Sequence, residues 1–298
     1  MKKAIAMLLM LMLSLSTFAC IQTTVQPART DTRTDAAETP ASEQPTGMWL
    51  MTKDTQYSVD GTVITTHVYT YEFDANGRET RVGETFTYNE RIRSTEAQIE
   101  YDESGRPVRL TVYMPDETVM EVESIFDQDG NWVGLTYQNP WGNIARAEYN
   151  ADGKLTQTII FLEDGTAERK LYSYDEHGQL IRYCGYNKNG ELSDGYEYEY
   201  TYDAEGRIEK SRKTDLRYGG TEVLEYEFDA EGRQIKETRF YESEYLSGLQ
   251  GWTVFEYDDN GNRIRSSYYN DSGEMEQYEI YEWTYEPNAI YFPPFGQP

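Results

Sequence analysis

Asp and Gly recur in this chain at a spacing that serves two kinds of chemistry. In DQDGN (Asp127–Asn131) and DDNGN (Asp258–Asn262) the acidic and amide oxygens alternate as Ca²⁺ ligands do. Neither run has a bidentate Glu at the closing position, and the same Asp-x-x-Gly also makes a turn, so no metal site is assigned. Acid/base hydrolysis of a glycoside needs two carboxylates. The chain has 53 Asp and Glu, and nothing in their spacing singles out a pair. Its two His, His67 in TTHVYTY and His177 in DEHGQ, accompany no nucleophile motif and no metal-ligand cluster. Trp is the better candidate, because exposed indole rings stack on sugars and anchor protein partners. Trp132 and Trp141 flank one hairpin and, with Trp252, are the ligand-binding candidates. No cofactor motif is present. These residues point to a non-enzymatic binding or scaffold module, with a polysaccharide-active enzyme as the alternative.

The elements that must position these residues come from a phrase repeated eight times. It reads YEFDANG (Tyr71–Gly77), IEYDESG (Ile99–Gly105), SIFDQDG (Ser124–Gly130) and AEYNADG (Ala147–Gly153). It continues as YSYDEHG (Tyr172–Gly178), YTYDAEG (Tyr200–Gly206), YEFDAEG (Tyr226–Gly232) and FEYDDNG (Phe255–Gly261). Asp accepts a hydrogen bond from the backbone two residues on, and Gly takes a left-handed conformation that joins antiparallel strands. Asp74–Gly77, Asp102–Gly105, Asp203–Gly206, Asp229–Gly232 and Asp258–Gly261 are therefore assigned to structural turns. The glycines lie 23 to 29 residues apart, with a weaker turn signal about 12 residues after most of them. Segments of roughly 8 to 10 residues between turns are strands rather than helices. Before each Asp the residues alternate apolar and polar, as in Tyr226, Glu227, Phe228. The run SEYLSGLQG, with glycines at 248 and 251, reads as an insertion.

Composition bounds the function. A hydrophobic content of 38% is lean for a thick core and suits a thin sheet of hairpins that pack mainly on their neighbours. The net charge is −26, and losing Lys2 and Lys3 with a leader makes it −28. That balance excludes nucleic acid and docking on anionic lipid, both of which need clustered cations. A membrane-spanning barrel is excluded as well, since GRIEKSRKTD (Gly206–Asp215) and GRETRVGETF (Gly77–Phe86) put charge on both faces of a strand.

At the start of the chain, Lys2 and Lys3 precede an apolar run from Ala4 to Leu15, which reads as a secretory signal over residues 1–19. The run STFAC that follows resembles the bacterial lipobox, with Thr17 where Leu is usual. The resemblance implies lipidation of Cys20 and attachment to a membrane surface through that lipid. Cys184 is then left without a disulfide partner. Residues 20–47, rich in Thr, Ala, Pro and Gln, read as a flexible tether. The repeat domain spans 48–298.

The phrase Tyr-x-Tyr-Asp-x-x-Gly-Arg, in YTYDAEGR (Tyr200–Arg207), YEFDAEGR (Tyr226–Arg233) and YEFDANGR (Tyr71–Arg78), resembles the YD or Rhs repeat across most of residues 57–286. In that family tandem β-hairpins wind into a long spiral sheet, often a shell around a toxin. The resemblance implies a hairpin array outside the cytoplasm. Toxin delivery does not follow, since this chain has too few repeats to enclose a cargo. The expected fold is all-β, with tandem antiparallel hairpins forming one extended, curved or spiral sheet of about 16 strands. The expected partner is an envelope glycan or surface protein.

Overall fold

The computed structural model describes residues 47–128, 132–138, 143–150, 152–243, 247–287 and 289. Its strands in the first half are β1 (Met48–Ser58), β2 (Val63–Phe73), β3 (Glu79–Tyr88), β4 (Arg91–Tyr101), β5 (Pro107–Tyr113), β6 (Val119–Phe126), β7 (Trp132–Gln138), β8 (Ile144–Tyr149) and β9 (Leu155–Phe161). The second half holds β10 (Ala167–Tyr174), β11 (Leu180–Tyr186), β12 (Leu192–Tyr202), β13 (Ile208–Asp215), β14 (Thr221–Phe228), β15 (Gln234–Glu242), β16 (Ser247–Tyr257), β17 (Arg263–Asn270) and β18 (Met275–Glu286).

Each eight-residue-scale strand follows from local sequence. In every Asp-x-x-Gly turn that is fully described, the carboxylate or amide oxygen accepts backbone N–H groups and the Gly closes a tight loop. At the first copy, Asp74 Oδ1 accepts from Asn76 N at 2.8 Å and Arg78 N at 3.0 Å, and Gly77 has φ 77°. A register shift accompanies the turn, with Phe73 opposite Glu79. This bulge takes the carbonyl of the residue two past the Gly out of the ladder. The next repeat supplies its donor. Tyr101 Oη donates to Glu79 O at 2.7 Å, Tyr174 Oη to Leu155 O at 2.8 Å, Tyr200 Oη to Leu180 O at 2.8 Å and Tyr257 Oη to Gln234 O at 2.7 Å.

The Arg after the Gly ties neighbouring repeats together. Arg207 Nε donates to Asp203 Oδ2 at 2.6 Å while its guanidinium lies 4.6 Å from the Phe228 ring centroid. Arg78 does the same with Asp74 and Tyr101, and Arg233 with Asp229 and Tyr257. The four copies with Arg after the Gly thus hold their own turn and grip an aromatic residue of the next one. The motif reading assigned Asp and Gly to geometry and gave the Arg no role.

Two expectations about the whole are corrected. The sheet is not open or spiral: it has 18 strands and closes on itself. Every strand pairs antiparallel with its neighbours in sequence, and β18 pairs with β1 from Met48↔Glu286 to Ser58↔Gln277. The result is an up-and-down β-barrel. The eight phrases account for β2 to β17, and the segments flanking the first and last copies add β1 and β18. Closure has a clear physical cause. β1 and β18 are long strands whose unpaired N–H and C=O groups would otherwise form two open edges. The seam adds Tyr57 stacked on Tyr278 at 5.0 Å, Trp49 tilted against Tyr285 at 5.4 Å, and the Lys53–Glu282 ion pair at 2.7 Å. The second correction concerns SEYLSGLQG. Gly248 and Gly251 lie within β16 at φ 134° and 144°, so they are strand glycines rather than an inserted loop. A Cβ at Gly251 would run into the carbonyl oxygen of Tyr269.

The two faces of the wall differ. In β6, Met120 and Val122 are buried while Glu121 and Glu123 are exposed, and in β8 Ala145 and Ala147 are buried between Ile144 and Arg146. On these strands the buried row lines the inside of the ring. Its densest part joins Ala97, Leu110, Val112, Met120, Val122, Leu135 and Ala147 on β4 to β8. The outer row carries cross-strand ion pairs such as Arg81–Glu96 (3.2 Å), Arg109–Glu123 (3.1 Å), Lys210–Glu225 (2.7 Å) and Lys236–Glu227 (2.8 Å). Each contributes about 0–1 kcal/mol at most. Their larger consequence is that this face suits water and not hydrocarbon.

Candidate functional site

An 18-stranded ring is wide enough to enclose space that side chains do not fill. On the side of the barrel away from the β4–β8 core, a cavity of about 440 Å³ lies against β15, β16, β17, β18 and β1. Strand periodicity explains its wall. One cross-strand row runs Phe255, Ser266, Glu279, Gln56, each the register partner of the next. A second row on the same face runs Glu237, Thr253, Tyr268, Gln277. Arg239, Arg263 and Tyr281 complete the polar and aromatic lining.

The polar groups of this wall are held in place by one another. Tyr281 Oη donates to Glu279 Oε2 at 2.6 Å, which leaves Ser266 Oγ, 3.0 Å away, to donate to the Tyr281 oxygen. Arg239 is shared between Glu222 at 3.4 Å and Glu237 at 3.5 Å. Arg263 Cζ lies over the Phe255 ring, 4.1 Å from its centroid. Wall groups therefore offer ring faces, carboxylates, carboxamides and guanidinium groups together. That mixture binds hydroxylated ligands: rings stack on C–H faces while carboxylates and amides take hydroxyl hydrogen bonds.

Beside the cavity, β1, β2 and β3 place an acid–imidazole cluster on the same inner face. Tyr69 Oη donates to Asp54 Oδ2 at 2.8 Å, and His67 Nδ1 lies 2.7 Å from Glu84 Oε1. Burial pushes the Asp54 carboxyl well above the ordinary carboxylate range, and a hydrogen bond with Glu279 adds to this while His67 and Tyr69 oppose it. For His67 burial works downward, but the Glu84 hydrogen bond and the Asp54 and Glu84 charges outweigh it and raise the imidazole. Among the described residues no group of three or more His, Cys, Asp or Glu side chains is arranged to hold a metal ion.

The sequence-derived candidates scatter. Trp132 faces the core, 4.2 Å from Tyr149 between ring centroids, with its Nε1 buried and without a hydrogen-bond partner. Trp252 borders the cavity, but its indole stacks at 5.5 Å on its register partner Tyr269, on the face alternate to Thr253 and Tyr268. Trp141 and Cys20 lie outside the described residues. Sequence reasoning passed over Phe255, Arg263, Tyr268, Gln277, Glu279 and Tyr281. Their alternation was readable and the consecutive hairpins β16 to β18 bring them together, but the wall is completed by Gln56, which joins only through the β18–β1 seam.

No family model matches the chain, and no curated protein matches it. Solved structures do. A porin-like protein from Bacteroides uniformis is 11% identical, with 79% of this chain and 96% of that one covered at a TM-score of 0.42. A porin-like protein from Bacteroides vulgatus is 9% identical over 78% of this chain and 97% of that one, at a TM-score of 0.35. TcdB2-TccC3 without its hypervariable C-terminal region is 13% identical over 77% of this chain and 14% of that one, at a TM-score of 0.38. At these identities and TM-scores nothing is carried over from those proteins to this chain.

Proposed function

We propose that this chain is an exported, non-enzymatic binding protein of the bacterial envelope that takes a glycan on the inner wall of its barrel. The observation that carries the reading is the wall of β15 to β18 and β1. There Phe255, Tyr268 and Tyr281 stand among Gln56, Gln277 and Glu279 around one cavity. Aromatic faces beside fixed hydroxyl-binding groups suit a pyranose better than an apolar ligand. The leader, the lipobox-like STFAC and the tether support an anchor through Cys20, and the Asp-x-x-Gly-Arg linkage between copies supports assignment to the YD/Rhs type of repeat.

The experiment is a glycan screen of the purified chain followed by titration, with Phe255→Ala as the wall variant. Saturable binding without product release, weakened at least about ten-fold by the variant, is the expected outcome. Release of shortened glycan would instead establish the polysaccharide-active enzyme. Binding that ignores Phe255→Ala would remove the cavity from the account. In the same preparation, incorporation of a tagged fatty acid that persists in Cys20→Ala would remove the lipid anchor.

A further inference from the structure

Arg263 differs from the arginines that follow the turn glycines. Arg78, Arg106, Arg207 and Arg233 come directly after the Gly and close onto the Asp of their own turn. In the eighth copy Asn262 holds that position. Its Nδ2 donates to Asp258 Oδ2 at 3.0 Å, and the arginine comes one residue later. One residue along a strand is a change of face. The cation is thereby delivered to the cavity wall instead of the turn.

There its surroundings are incomplete. The guanidinium lies 4.1 Å from the Phe255 centroid and 6.0 Å from that of Tyr257, and Nε is covered with no hydrogen-bond partner. No carboxylate among the described residues lies within ion-pairing distance of it, whereas Arg239, on the same wall, is shared between Glu222 and Glu237. The backbone at Arg263 is fixed, since its carbonyl accepts Trp283 Nε1 at 2.8 Å. A partly covered, ring-stacked guanidinium without a counter-charge is costly unless an anion completes it.

We infer that the cavity takes a saccharide bearing a carboxylate, with the acid group held by the Arg263 fork. This rests on the glycan-binding reading and narrows it to an acidic sugar. The planar fork matches the two oxygens of a carboxylate. A densely charged polyanion fits less well, because Glu237 and Glu279 share the wall and the chain carries a net charge of −26. One unpaired cation suits one acid group, with Glu279 and Gln277 left for hydroxyls.

The test is calorimetric titration of the full chain with galacturonate and glucuronate oligosaccharides and their methyl esters, alongside Arg263→Gln, Arg263→Lys and Arg239→Gln. For at least one acid, wild type is expected to prefer the acid to its ester by at least about ten-fold. Arg263→Gln should erase the preference, so that acid and ester bind alike. Arg263→Lys, which keeps the charge and loses the fork, should fall between, and Arg239→Gln should keep the preference. Equal binding of acids and esters by wild type, or a preference that survives Arg263→Gln, overturns the inference while leaving glycan binding standing. Binding of neutral glycans but of no acid does the same. Failure of every glycan overturns the reading beneath it, and this inference with it.

Discussion

Replacing Glu79 by glutamine should stabilise the barrel above neutral pH and have little effect in acid. Glu79 opens β3 two residues past Gly77, and its carbonyl accepts the Tyr101 hydroxyl at 2.7 Å. Burial alone pushes its carboxyl up to about 7 from an ordinary 4.5. The folded state therefore holds a proton between those values that the unfolded chain has already lost. Stability falls as pH rises through that window, and the full cost is present above about pH 7. The gap corresponds to about 3 kcal/mol at most. Glutamine keeps the shape and cannot ionise, so the variant escapes this cost. Urea unfolding followed by Trp fluorescence, at about pH 8.5 and about pH 4.5, measures the difference; the other carboxylates titrate in both proteins and cancel. The expected result is Glu79→Gln more stable by about 2–3 kcal/mol at the higher pH and within about 0.5 kcal/mol of wild type at the lower. Equal stability at high pH, or a variant weaker there, would refute the assignment of Glu79 to a desolvated site.

Two further outcomes test the architecture. Leu50 and Thr284 are register partners across the seam, so the pair Leu50→Cys and Thr284→Cys should form an intramolecular disulfide under mild oxidation, read by mass after thiol labelling. An open sheet would leave both thiols free. Arg207→Ala removes the 2.6 Å bond to Asp203 and the stack on Phe228 together, and should lower unfolding stability by about 1–2 kcal/mol in the same urea assay. Arg207→Lys should recover less than half of that, because an ammonium restores the charge without the planar stack.

Much of the fold was legible because its information is local. Asp203 and Gly206 set one turn, Tyr200 and Tyr202 alternate with Thr201, and every hairpin from β2 to β17 repeats that logic within about 25 residues. The Arg stack was less legible, since the ring it meets lies in the next copy: Arg207 on Phe228, Arg233 on Tyr257. The candidate site was hardly legible at all. Trp132 and Trp141 stood out by residue type, yet indole is as good a core residue as a ligand platform, and Trp132 packs on Tyr149. Arg263 carried a signal that could have been found, namely the displacement of Arg by one residue from the pattern of Arg78, Arg207 and Arg233.

By itself the sequence determined an all-β chain of antiparallel hairpins, the position of each Asp-x-x-Gly turn and an acidic surface. Each of those depends on residues close together in the chain, where backbone geometry and alternation act directly. The tertiary structure alone decided that the sheet closes, that it has 18 strands, and that Gln56 of β1 meets Glu279 of β18 on one wall. That pairing joins segments more than 200 residues apart. Any β-strand with free N–H and C=O groups can pair with any other, so closure depends on how stagger and twist accumulate over the whole ring, a sum that no local pattern records.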